Sequence, residues 1–78
     1  MTEKELFQLV SESLDVPIEK INIQSSQDKI EEWDSLGHLS ILSSLSKDLG
    51  DSIKSVKGLG TCVSLSCIVK ILKSASLL

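Results

Sequence analysis

The sequence predicts an all-α fold, a small four-helix bundle of three main helices and one short helix with a long first connector. Three observations predict it. Apolar residues recur at helical spacing in three separate segments, each opened by a residue that caps helices, namely Thr2, Asp34 and Ser64. No segment shows the two-residue alternation of a half-buried strand. The 78 residues suffice for one domain, 1–78, with helices expected over about 3–14, 35–49, 53–57 and 64–75. A domain this small buries a modest core and is too short to wall off a deep catalytic pocket by itself.

The first helix starts at a capping box, Thr2-Glu3-Lys4-Glu5, in which threonine and glutamate satisfy each other's backbone N–H groups. Leu6, Leu9, Val10 and Leu14 follow on one face, with Phe7 on its flank. Pro17 stops the helix and pushes Val16 toward an extended conformation. In the connector, 15–34, the aliphatics Val16, Ile18, Ile21, Ile23 and Ile30 and the indole of Trp33 are expected to anchor the chain to the core. Ser25-Ser26-Gln27-Asp28 reads as turn material. The second helix should begin at Asp34, whose carboxylate suits both the N-cap and the positive end of the helix dipole. Its stripe is Leu36, Leu39, Leu42, Leu45 and Leu49, widened by Ile41. So broad an arc predicts a central helix with Leu39 and Leu42 in the core and Ser40, Ser44 and Lys47 on the wet face. Gly50 is a natural stop. Ile53 and Val56 suggest a short helix, Gly58-Leu59-Gly60 a hinge. Ser64 caps a last helix with Leu65, Ile68, Val69 and Leu72 at i, i+3, i+4 and i+7, fraying from Ser74.

Composition excludes several functions. The net charge is −3 and no arginine is present, which disfavours nucleic acid and removes bidentate phosphate recognition. Residues 1–39 carry nine acids and three lysines, net −6, whereas residues 40–78 carry two acids and five lysines, net +3. Phe7 and Trp33 are the only aromatics, too few for a base-stacking platform. Cys62 and Cys67 do not read as a disulfide framework and, with His38 as the sole histidine, cannot make a tetrahedral zinc site. They read as passive small residues. No signal-peptide pattern or membrane-length apolar run occurs. The expectation is a cytoplasmic monomer without metal or membrane partners.

On the residues alone, Ser35 reads as an ordinary helix-start serine. The stretch Trp33-Asp34-Ser35-Leu36-Gly37-His38-Leu39, opening the second helix after a long connector, changes that. Here the chain resembles the acyl carrier proteins, especially free-standing carriers of specialised pathways. Leu39, Ile41, Leu42, Leu45 and Leu49 match the family's apolar positions, and the Leu6 to Val16 series matches its first helix. The resemblance implies no catalytic residue and no enzyme activity of its own. It implies instead that Ser35 carries 4′-phosphopantetheine, attached from coenzyme A by a Mg-dependent phosphopantetheinyl transferase. Asp34 would cap the helix and Leu36 would pack beneath the serine. Acyl-loading and acyl-using enzymes would then handle acyl groups held as thioesters, in fatty-acid, polyketide or lipid-modifying chemistry. Glu31, Glu32, Trp33, His38, Ser40 and Ser43 become candidate contacts for the arm or partners. The acids of the second helix that dock fatty-acid-synthase carriers are largely replaced here by Ser40, Ser46 and Lys47. The tail carries Lys54 and Lys57 where that group has acids.

Two other readings stand beside this one. An aminoacyl or peptidyl carrier would use the same serine. A small helical interaction module would leave it unmodified and dock a partner through an apolar face. A serine hydrolase built on Ser35 and His38 lacks an orienting acid and an oxyanion hole, so His38 reads as a surface histidine near the arm or a partner.

Overall fold

The computed structural model describes residues 1–78, except for the side chains of residues 54 and 55, so Lys54 lies outside the described side chains. The fold is all-helical. Helix α1 spans Glu3–Leu14, α2 spans Ser35–Leu49 and α3 spans Leu65–Ser74, with 3₁₀ turns at Ile18–Lys20, Gly50–Ser55 and Leu59–Thr61. The short helix expected over 53–57 is a 3₁₀ segment that starts at Gly50, directly off the end of α2. The turn over Ile18–Lys20 had no counterpart in the sequence reading.

Local chemistry accounts for the helix ends. Thr2 and Glu5 form the capping box in both directions, Glu5 N–H to Thr2 Oγ1 at 3.1 Å and Thr2 N–H to Glu5 Oε1 at 3.0 Å. That exchange holds the Glu5 carboxyl below its ordinary range, chiefly through the Thr2 backbone hydrogen bond. At its other end α1 closes in a Schellman motif. Asp15 sits in the left-handed region at φ 56°, and Asp15 and Val16 donate to Glu12 and Ser11 at 3.3 and 3.0 Å. The same motif ends α3, with Ser76 at φ 60° and Leu77 N–H on Leu72 O at 2.8 Å. Leu77 and Leu78 then pack back on the core, so the chain beyond Ser74 is held where fraying was expected.

The core is one cluster. Leu6, Leu9, Val10 and Leu14 come from α1, Ile41 and Leu45 from α2, and Leu65, Ile68, Val69 and Leu72 from α3. The connector adds Val16, Ile21, Ile30 and Trp33, but its expected anchors Ile18 and Ile23 are 46 % and 44 % exposed. Backbone hydrogen bonds also tie the connector to the start of α3. Gln27 N–H donates to Val63 O at 2.9 Å and Leu65 N–H to Ser25 O at 2.8 Å, around an isolated antiparallel bridge between Ser26 and Ser64. These pairings satisfy buried polar backbone that an irregular segment would otherwise leave open.

Two further expectations are corrected. The buried face of α2 is centred on Gly37, His38, Ile41 and Leu45, so that of the leucine stripe Leu45 alone is fully buried. Leu36 is 75 % and Leu39 60 % exposed, and Leu42 and Leu49 are half-buried. Gly37 explains the rotation. A Cβ there would strike the Glu32 carbonyl oxygen and come within 2.7 Å of Leu14 Cδ2, so the smallest residue of the helix is laid against α1 and the connector. Ser44 follows the rotation off the wet face, sharing a hydrogen bond with Ser13 of α1 at 2.9 Å. The second correction is covalent. Cys62 and Cys67 are joined in a disulfide. Counting cysteines misses this because one residue two positions before a helix cap and one in that helix's first turn meet locally, without any framework.

Candidate functional site

Ser35 is the first residue of α2 and is exposed. Asp34, extended at φ −97° and ψ −166°, caps the helix by accepting from Gly37 N–H at 2.8 Å, and its carbonyl takes His38 N–H at 2.8 Å. The N–H groups of Ser35 and Leu36 belong to the part of a helix with no acceptor in the preceding turn. The serine oxygen therefore stands at the positive end of a 15-residue helix, on a backbone fixed by its neighbour's carboxylate.

Beneath it the site is held by a buried polar link. Trp33 Nε1–H donates to His38 Nδ1 at 3.1 Å, and His38 Nε2 meets Leu59 O at 2.8 Å. Because Nδ1 accepts and a carbonyl can only accept, the imidazole is neutral with its proton on Nε2. Its ring lies nearly parallel to the indole, 18° between planes and 6.2 Å between centroids. His38 is thus 6 % exposed, not the surface histidine expected from its position one turn after the serine. It clamps the end of the connector, the start of α2 and the Leu59–Thr61 turn together. Both ring nitrogens are engaged, so neither is left to take a proton from Ser35.

The clamp leaves an open groove of ≈ 600 Å³ beside Ser35, lined by Gln27, Ser35, His38, Leu39, Leu42, Gly60, Thr61 and Val63. Leu39, Leu42 and Val63 make its apolar surface, and Leu39 and Val63 are exposed. Leu36 does not pack beneath the serine as expected. It projects into solvent. Glu31, Glu32 and Asp34 are exposed just upstream, and Ser40 and Ser43 are exposed along α2. Trp33 is fully buried, which places it in the core and off the surface. Among the described residues no group of three or more metal-binding side chains occurs, and no helix is long and apolar enough to cross a membrane.

Three contributors were missed. Gly37 carried a signal, since a glycine inside a helix costs about 1 kcal/mol against alanine and needs a packing reason. The Leu59 carbonyl and the groove wall at Gln27 and Val63 carried none, because backbone acceptors and loop proximity leave no trace in residue type. No family model, no curated protein and no solved structure matches the chain.

Proposed function

We propose that the chain is an acyl carrier protein, modified at Ser35 with 4′-phosphopantetheine. One observation carries the reading: an exposed serine at the mouth of α2 opens directly onto an apolar-walled groove of ≈ 600 Å³. The heptapeptide around Asp34-Ser35-Leu36 supports it independently. The site fits the group. A phosphodiester on Ser35 would lie against unpaired N–H groups at the helix start, where an anion is stabilised. Leu39, Leu42 and Val63 would line the path of the arm. When bound, the arm supplies a terminal thiol to which an acyl group is esterified. The chain's own residues present the hydroxyl, hold the helix mouth rigid through Asp34, His38 and Trp33, and shelter an apolar cargo. Tethering raises the cargo's effective concentration at the enzymes that load and use it.

In this reading the 3₁₀ segment Gly50–Ser55 takes the place of the short helix of a four-helix bundle. Exposed Leu36 and Leu39, with Glu31, Glu32 and Asp34 beside them, are where the transferase and acyl-handling enzymes would meet the carrier. The protein would act as a cytoplasmic monomer. The same exposed leucines favour a second reading, an unmodified helical interaction module. Intact mass after incubation with coenzyme A, Mg²⁺ and a broad-specificity phosphopantetheinyl transferase separates the two. The carrier gains one phosphopantetheine and Ser35→Ala gains nothing. An unchanged wild-type mass, or an equal gain on Ser35→Ala, refutes the carrier reading.

A further inference from the structure

The groove wall opposite α2 is held by a covalent bond. Cys62 and Cys67, with Cα atoms 5.6 Å apart, fall in the range that disulfides span naturally. Their bridge encloses Val63, Ser64, Leu65 and Ser66. Val63 lines the groove and accepts from Gln27, while Ser64 caps α3 by accepting from Cys67 N–H at 3.3 Å and pairs with Ser26. Leu65, next in the chain, donates to Ser25. The backbone bonds between connector and α3 therefore run through the bridged segment.

The two halves of the bridge differ in access. Cys62 is 2 % exposed. Cys67 is half-buried and lines a shallow surface pocket of ≈ 360 Å³ with Ser66, Val69 and Lys70. It also sits in the first turn of α3, where the helix dipole stabilises a thiolate. Meanwhile Leu65, Ile68 and Leu72 are fully buried and hold α3 on the core whether or not the bridge is closed.

We propose that Cys62–Cys67 is a reversible thiol–disulfide switch, opened by dithiol reductants and closed by disulfide oxidants, that locks or releases the Gly60–Val63 wall of the groove beside Ser35. In opening, a reductant thiolate attacks the accessible Cys67 sulfur, the Cys62–Cys67 bond breaks, and the Cys62 thiolate takes a proton from water. The reductant's second thiol then attacks its own mixed disulfide. The Cys67 thiolate leaves, favoured by the helix start and by Lys70, and is protonated. The protein gains two electrons and two protons, and the dithiol becomes a disulfide. Closing reverses the exchange. The structural half of this inference does not depend on what Ser35 carries.

The test compares amide hydrogen exchange of the whole protein oxidised by glutathione disulfide and reduced by dithiothreitol, with thiols counted by alkylation and mass. On reduction, the Gln27 and Leu65 amides should exchange about tenfold faster or more, while Leu45 in α2 stays unchanged. Reoxidation should restore protection. The double variant Cys62→Ala, Cys67→Ala should resemble the reduced protein and ignore dithiothreitol; should it not fold, reduction of the wild type decides alone. Two free thiols persisting in glutathione disulfide, equal exchange in both states, or acceleration spread through α2 would each overturn the switch. Loading of Ser35 in the two states is read separately. Failure to load in either refutes the carrier reading and leaves the exchange result standing.

Discussion

Replacing Gly37 by alanine sets two effects of opposite sign against each other. Alanine is the better helix former by about 1 kcal/mol, so an exposed Gly→Ala change in α2 would stabilise. At Gly37 the new Cβ meets the Glu32 carbonyl oxygen and lies 2.7 Å from Leu14 Cδ2. The first neighbour is backbone, in a connector pinned one residue later by the fully buried Trp33. The second belongs to a buried side chain with little room to turn. Overpacking a close-packed core costs about 1–3 kcal/mol, and two rigid neighbours put this site near the top of that range. After the propensity gain the net loss is about 2 kcal/mol, or roughly 8–16 °C in Tm for a domain of this size. Urea unfolding followed by Trp33 fluorescence measures it. Gly60→Ala is the control: nothing lies within 4 Å of its Cβ, and a smaller unfolded-state entropy should leave stability unchanged or raised by up to about 1 kcal/mol. A Gly37→Ala variant as stable as the wild type would refute the claim that this glycine sets the rotation of α2.

Other outcomes follow from the same packing. Leu45→Ala should cost about 2–5 kcal/mol by emptying buried volume, whereas Leu39→Ala should cost under about 1 kcal/mol; denaturation curves showing the reverse order would put Leu39 in the core and refute the rotation of α2. His38→Phe strands the Trp33 N–H and the Leu59 carbonyl, an expected loss of about 2 kcal/mol or more, and ¹⁵N shifts of the wild-type ring should report the neutral Nε2–H tautomer. The Glu5 carboxyl is lowered from 4.5, so its capping contribution is present above that value and disappears as pH falls through the lower folded value. An NMR titration should show the Thr2 and Glu5 amide signals moving together in that window, and independent movement would separate the two halves of the box.

What could be read from the sequence was whatever residue type alone decides. Thr2, Asp34 and Ser64 announce helix starts because their side chains act within three residues. Leu6, Leu9, Val10, Ile68 and Leu72 announce buried faces because their periodicity is local. The rotation of α2 was misread for a physical reason. Leucine count weighted the wrong arc, while the deciding residue was a glycine whose effect comes from what it lacks. His38 was misplaced because its partners are an indole five residues back and a carbonyl twenty-one residues on, the second invisible in any sequence. Ser35 itself was legible by position, whereas its groove, half built from Gln27, Gly60, Thr61 and Val63, was not.

The exposure of Leu36 and Leu39 has a colloidal consequence. Two uncharged leucines on one helix face are an invitation for copies to meet leucine to leucine. Such an encounter would bring two sets of Glu31, Glu32 and Asp34 together, on a chain of net charge −3, so like-charge repulsion guards the patch against its own kind. A surface with cations around an apolar centre meets no such barrier. The guard is ionic and should weaken as the screening length shrinks from about 10 Å at 0.1 M salt to about 3 Å at 1 M. Sedimentation should then show self-association growing with salt in the wild type and fading in Leu36→Ser, Leu39→Ser, whereas indifference to salt would mean that the leucines avoid one another for some reason other than charge.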